Sequence, residues 1–149
     1  MKNRTVLCSL IIVLLACATV SAQSTTPLPF PRIVSTVELT GQTGSIPTTT
    51  LFTPKANGTF RFTGTMGITM GNQCQDGCTW GMTIGFTTDS GPLMIPFIGI
   101  NAAVVSGGTG NQQILRDNAG QPLTYSVACT QGDRSGSVYE VFITVEQIQ

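Results

Sequence analysis

Residues 59–70 read T-F-R-F-T-G-T-M-G-I-T-M, with the apolar positions at every second residue. Phe60, Phe62, Gly64, Met66, Ile68 and Met70 fall on one side. Thr59, Arg61, Thr63, Thr65, Gly67 and Thr69 fall on the other. A period of two held over twelve positions defines a β-strand with one buried face, since no helix gathers those residues into one stripe. Residues 78–88 alternate in the same way, with Trp80, Met82, Ile84 and Phe86 against Thr79, Gly81, Thr83, Gly85 and Thr87. The two segments are expected to pair as a hairpin around a loop at 71–77 and to supply half of the core.

The flanking chain carries weaker versions of the pattern. Residues 33–40 predict a strand with Ile33, Ser35, Val37 and Leu39 on one face, followed by turn material at 41–47 and a short β-branched strand at 48–53. Asn57-Gly58 is a hairpin signal, because both residues tolerate a positive φ. With Thr59 it also spells a glycosylation sequon, but the turn explains the same residues without a further assumption. Residues 93–100 (L-M-I-P-F-I-G-I) are apolar on both faces, and Pro96 confines them to a sheet edge or a bulge. Residues 101–111 read as a Gly-rich loop with room for a short strand at 102–105, and 112–116 as a weak strand. After a turn at 117–122, Leu123, Tyr125, Val127 and Cys129 share a face. The closing strand, 137–146, turns Tyr139, Val141, Ile143 and Val145 inward and Val138, Glu140, Phe142, Thr144 and Glu146 outward. About eight strands at short spacing, with no helical period after the N-terminal segment, predict an all-β fold: an antiparallel two-sheet sandwich of jelly-roll type. A membrane barrel alternates likewise but needs aromatic girdles at both interfaces. Beyond the N-terminal segment the amphipathic rings are only Trp80, Tyr125 and Tyr139, and the outer rows are threonine.

The first residues follow a different rule. Lys2 and Arg4 precede an apolar run at 6–16, and Val20-Ser21-Ala22 offers small residues where a signal peptidase reads. Cleavage before Gln23 is expected, and the run is too short to span a bilayer as a helix. Leu14-Leu15-Ala16-Cys17 also resembles the lipobox of bacterial lipoproteins, which implies a lipid anchor at Cys17 and an outer-membrane location in place of a secreted or periplasmic one. The chain thus divides into a signal peptide (1–22), a Pro-rich linker (23–31) and a β-sandwich domain (32–149).

Composition narrows the chemistry. After residue 22 the chain keeps five cations (Arg32, Lys55, Arg61, Arg116, Arg134) against seven carboxylates, 5 − 7 = −2. So little charge leaves no footprint for nucleic acid or an anionic membrane, and a neutral polar surface lacks the repulsion that keeps copies apart. There is no histidine, which removes Ser-His-Asp and Cys-His systems and His-ligated metals. Lys55 lies in a turn and is the one candidate for a Ser-Lys arrangement. The carboxylates are scattered, with Asp76, Asp89, Asp117 and Asp133 in turn contexts where Asp serves the backbone. No catalytic group, metal site or cofactor is expected.

Cys74, Cys78 and Cys129 remain after the signal, an odd number for an oxidising compartment. A Cys74–Cys78 disulfide would close a small ring and leave Cys129 a buried free thiol. Cys78–Cys129 is the alternative. For binding, Phe142 on the polar face beside Glu140 suits a sugar platform or a subunit contact, with Arg61 as a further polar group on such a face. The outer rows of the two best strands are flat, neutral and small, a surface fit for a protomer–protomer contact.

Thr49-Thr50-Leu51-Phe52-Thr53-Pro54 followed by Gly58-Thr59-Phe60-Arg61-Phe62 resembles the F-T-x-x-x-x-G-x-Y-x-F turn and strand of C1q/TNF-like jelly rolls, with Phe60 where Tyr is usual. It is similar as well to secreted bacterial and phage-associated modules of that type. The resemblance implies a trimer-forming binding or structural module and identifies no ligand. Taken together, the residues predict a secreted or cell-surface, non-enzymatic module that self-associates, with a glycan or a surface protein as the alternative partner and a carboxylate-pair hydrolase behind both.

Overall fold

The computed structural model describes residues 31–70, 79–102, 107–131 and 136–149. They form eight strands: β1 (Arg32–Gln42), β2 (Ile46–Phe52), β3 (Gly58–Met70), β4 (Thr79–Thr88), β5 (Gly91–Asn101), β6 (Gly107–Asp117), β7 (Leu123–Gln131) and β8 (Val138–Gln147). No helix occurs among the described residues. Two four-stranded sheets run in the order β1-β8-β3-β6 and β2-β7-β4-β5, and every neighbouring pair is antiparallel. The pairings β1–β8, β2–β7, β3–β6 and β4–β5 are those of one long hairpin rolled up on itself. That is the jelly roll.

This topology corrects the expected hairpin of the two strongest segments. β3 lies between β8 and β6 in one sheet, and β4 lies between β7 and β5 in the other. Both are central strands with one apolar row, and the two rows face each other across the core instead of sharing a ladder. The threonine rows of β3 and β4 therefore cover opposite outer faces of the molecule and form no common surface.

The Asn57-Gly58 hairpin is also corrected. Neither residue has a positive φ, and β2 and β3 belong to different sheets. Asn57 Oδ1 instead accepts from the Ala119 N–H at 2.8 Å, and the Pro54 carbonyl accepts from Gly120 N–H at 2.8 Å, fastening this crossover to the β6–β7 turn. Gly120 takes φ +73°, which a side chain rarely adopts, so glycine is needed at that turn.

The inward rows are buried as the alternation requires: Phe60, Phe62, Met66 and Ile68 from β3, Trp80, Met82 and Ile84 from β4, Tyr139, Val141, Ile143 and Val145 from β8. Three aromatic contacts cross between the sheets, Phe52 on Phe60 (5.7 Å) and the two that follow. Trp80 packs on Tyr139 with ring centroids 4.4 Å apart, donates from Nε1 to Ser137 Oγ (3.0 Å), and Tyr139 donates to the Gly44 carbonyl (2.6 Å). Burial, with a smaller contribution from the charge of Tyr125, pushes the Tyr139 phenol up to about 12. Phe62 meets Phe97 edge-on at 4.7 Å.

Phe97 reaches that position through the bulge that Pro96 marks. The β4–β5 register slips between Met82 and Thr83, and Phe97 and Ile98 are both buried. The space it fills exists because Gly64 interrupts the large inward side chains of β3: a Cβ there would lie 2.7 Å from Phe97 Cε1. Gly64→Ala is expected to cost about 1–3 kcal/mol by overpacking. In urea unfolding the cost should shrink in a Phe97→Leu background, and equal costs in both backgrounds would show that the two positions do not share that space.

Candidate functional site

Three places on the molecule have enough relief or side-chain chemistry to be examined as sites. All are built by strand ends or by the outer faces of the sheets.

The first is the outer face of the β1-β8-β3-β6 sheet, which carries Phe142, Glu140 and Arg61. Their register partners place them in successive rows: Glu146 beside Arg61, Thr144 beside Thr63, Phe142 beside Thr65, Glu140 beside Gly67. Arg61 and Glu140 thus stand six residues apart along the strands, on the order of 20 Å at strand rise. The structure does not bring them together. Arg61 Nη1 pairs with Glu146 Oε2 at 3.1 Å, a surface ion pair worth about 0–1 kcal/mol. Glu140 lies along the bare backbone of Gly67, where a Cβ would meet its Oε1 at 2.7 Å. Phe142 is half-buried between Glu38 and Thr65 on a central strand, so its ring is not a free platform. What does stand exposed on this face is Ile33 and Ile114, in the row of Arg61 and Glu146, with 58% and 53% of their surface open. The alternation set Ile33 on one face with Ser35, Val37 and Leu39, but the register break between Ile33 and Ser35 turns it outward beside Glu146. Ile114 lies in the segment expected as a weak strand.

The second is the end of the sandwich where the β2–β3, β4–β5 and β6–β7 connections meet. A polar cavity of about 180 Å³ there is lined by Asn57, Thr88, Asp89, Arg116, Asp117 and Asn118, among others. Asp117 is 1% exposed. Its Oδ1 accepts from the Thr87 N–H (2.9 Å) and the Asn118 N–H (3.1 Å), and Asn118 N–H also donates to the Thr87 carbonyl (2.9 Å). The end of β6 in one sheet is thereby tied to the end of β4 in the other. Asp117 Oδ2 has no partner and no contact with solvent. Desolvation raises the pKa of this carboxyl above its usual 3.8, against the lowering effect of the two backbone donors. Asp89 shares the cavity, so two carboxylates do converge. Yet an oxygen sealed from solvent cannot pass a proton to a substrate, and the pair lacks the acid/base function that glycoside hydrolysis needs. Asp117 is a structural tie, where the sequence suggested an ordinary turn aspartate.

The third is an opening of about 350 Å³ at the same end, lined by Arg32, Val34, Phe52, Pro54, Lys55 and Phe60 with their neighbours. No serine lines it, so the Ser-Lys arrangement has no serine for Lys55 there. Its walls are the ends of core aromatics (Phe52 and Phe60, 5.7 Å apart).

Among the described residues no cluster of His, Cys, Asp or Glu could hold a metal ion, and no helix is long and apolar enough to cross a membrane. Cys129 is disulfide-bonded, which corrects the expected free thiol. Its partner lies outside the described residues, as do Cys74, Cys78 and Cys17.

Fold and surface together define an all-β jelly-roll module with low-relief, neutral faces. No family model and no curated protein matches the chain, so the C1q/TNF resemblance of residues 49–62 gains no family match. Among solved structures it is similar to the PRD1 vertex protein P5, at 12% identity and TM-score 0.45, over 78% of this chain and 99% of that one. It is also similar to a chain in the structure of infectious bursal disease virus Gt strain, at 15% identity and TM-score 0.41, over 81% of this chain and 34% of that one. Likeness this distant does not bear on what the chain does.

The Asp117 tie has a pH signature. Because its folded pKa is raised, the folded state holds a proton that the unfolded chain has already lost just above pH 3.8. That stabilisation is present below 3.8 and is lost as pH rises through the folded pKa. Asp117→Asn, which keeps an oxygen acceptor, should remove this loss, so the wild type should fall relative to the variant between pH 3 and 6 in urea titrations. Asp117→Ala takes the acceptor from the Thr87 N–H, while Asn118 N–H keeps the Thr87 carbonyl, and should cost about 1–3 kcal/mol at any pH. Parallel pH profiles for wild type and Asp117→Asn would contradict the assignment.

Proposed function

We propose that this chain is an exported, non-enzymatic structural module that works by associating with copies of itself. The observation that carries the reading is the outer surface. Ile33 and Ile114 stand exposed on one sheet, Leu93 and Met94 on the edge strand β5 of the other. Around them the faces hold mostly Thr, Ser, Gly and Gln; on the first sheet Arg61 pairs with Glu146, and Glu38 and Glu140 are further carboxylates. Apolar side chains on a sparsely charged, low-relief β-surface suit contact with another β-surface.

Export rests on the N-terminal pattern, with its small residues before Gln23. The non-enzymatic reading rests on chemistry. The chain has no histidine, Lys55 has no serine beside it, and the buried carboxyl of Asp117 is committed to backbone donors. Glycan capture at Phe142 has less behind it, since the ring is half-covered on a central strand between Glu38 and Thr65.

Sedimentation velocity of the protein beginning at Gln23, over a range of micromolar concentrations, tests the reading. Species larger than the monomer that grow with concentration are expected. A single monomer boundary throughout would overturn it.

A further inference from the structure

The sandwich has four edge strands, and three of them are protected. β1 carries register breaks at Ile33/Ser35 and Leu39/Gln42 together with Arg32 and Glu38. β2 is seven residues long, contains Pro47 and breaks register twice. β5 contains Pro92, Pro96 and the Phe97 bulge. Prolines, bulges, charges and shortness are the devices by which edges avoid pairing with other chains. β6 has none of them along most of its length. It pairs with β3 in unbroken register from Gly58↔Asp117 to Ile68↔Gly107, and residues 107–115 hold no charge and no proline.

The side of β6 away from β3 has no partner strand among the described residues. The local hydrogen bonds show which groups face it. Gln112 N–H is bonded to Asn111 Oδ1 (2.8 Å) and the Ile114 carbonyl to Gln113 Nε2 (3.2 Å), so the even-numbered residues turn their backbone groups outward. Both are exposed contacts with an adjacent side chain, which an incoming strand can replace with ladder bonds.

We infer that β6 is the contact by which two copies of this chain join, strand to strand and antiparallel, about a two-fold axis at Gln112. The inference rests on the self-association proposed above and names its surface. The register follows from the strand itself. An axis at Gln112 sets Gly107 opposite the partner's Asp117, so all eleven residues overlap. It sets outward-facing backbone against outward-facing backbone, Gly108 against the partner's Arg116 and Gly110 against the partner's Ile114, as an antiparallel ladder requires. No like charges meet. The half with side chains (Gln112, Ile114, Arg116) lies against the half without (Gly108, Gly110), so each exposed Ile114 covers bare glycine backbone of the other copy. A two-fold contact needs such a self-complementary patch, and β6 is one. The two four-stranded sheets would become one of eight strands.

A strand pair buries less than a standard interface of about 1,600 Å², so the dimer should be concentration-dependent. The test is sedimentation equilibrium on the protein from Gln23 and on two variants, with amide hydrogen exchange on the wild type. Gln112→Pro removes an outward N–H and leaves the β3 ladder intact. Ile114→Lys sets a charge on the edge. Each should raise the dimer dissociation constant at least about tenfold, a change of about 1.4 kcal/mol. In the wild type the Gly110, Gln112 and Ile114 amides should gain protection as concentration rises. If Gln112→Pro does not fold, Ile114→Lys with the exchange data decides. Association unchanged in Ile114→Lys, with no added protection in β6, overturns this contact and leaves the proposed function standing. A wild type that never leaves the monomer overturns both.

Discussion

The structure depends on one constraint: two apolar rows of period two, on strands far apart in pairing, must be buried against each other. β3 offers Phe60, Phe62, Met66 and Ile68, and β4 offers Trp80, Met82, Ile84 and Phe86. Each strand has one apolar face and one threonine face, so neither can hide its row by lying beside the other in one sheet. They bury by stacking face to face, and the rest of the chain supplies the flanking strands. Trp80 on Tyr139 and Phe62 on Phe97 lock the stack, the second through the gap left at Gly64. Removing a large side chain from such a core costs about 3–5 kcal/mol for an aromatic, a large share of a domain's stability.

With the core formed this way, polar chemistry has two tasks. At one end it ties the sheets together: Asp117 and Asn118 bridge to Thr87, and Asn57 and Pro54 hold the β6–β7 turn. Elsewhere it clothes the faces in threonine, serine, glycine and glutamine. Neither task assembles a nucleophile, a base or a metal cradle among the described residues. The molecule's open possibilities are therefore at its surface, on the exposed apolar side chains and on the one long edge that has no guard among the described residues.

Much of the fold was legible in the sequence because alternation is a local signal. The inward rows of β3, β4, β7 and β8 were legible residue by residue except at Met70, which the register shift after Ile68 leaves exposed, and Pro96 correctly marked an edge with a bulge. Pairing was less legible, since it depends on contacts between distant segments. Asn57-Gly58 looked like a hairpin because the dipeptide tolerates a positive φ, yet tolerance is not a requirement, and the residues serve a crossover between sheets. β6 was read as a weak strand of five residues, because glycine and polar side chains give no period, and its extension to eleven comes from the β3 ladder. Of the candidate residues, Phe142, Glu140 and Arg61 share a face as alternation implied, but spacing along the strand separates Arg61 from Glu140. The burial of Asp117 had no local signal, because what seals it is the end of β4, thirty residues earlier.

The most direct test of the account is the set of main-chain proton contacts across the central strands, measured by nuclear Overhauser spectroscopy on isotope-labelled protein. Contacts should link β3 to β8 and β6, including Thr63 with Thr144 and Thr65 with Gly110, and should link β4 to β7 and β5, including Thr83 with Ser126. Main-chain contacts running directly between β3 and β4 as a hairpin would contradict the facing-row core, and with it the placement of every surface described above.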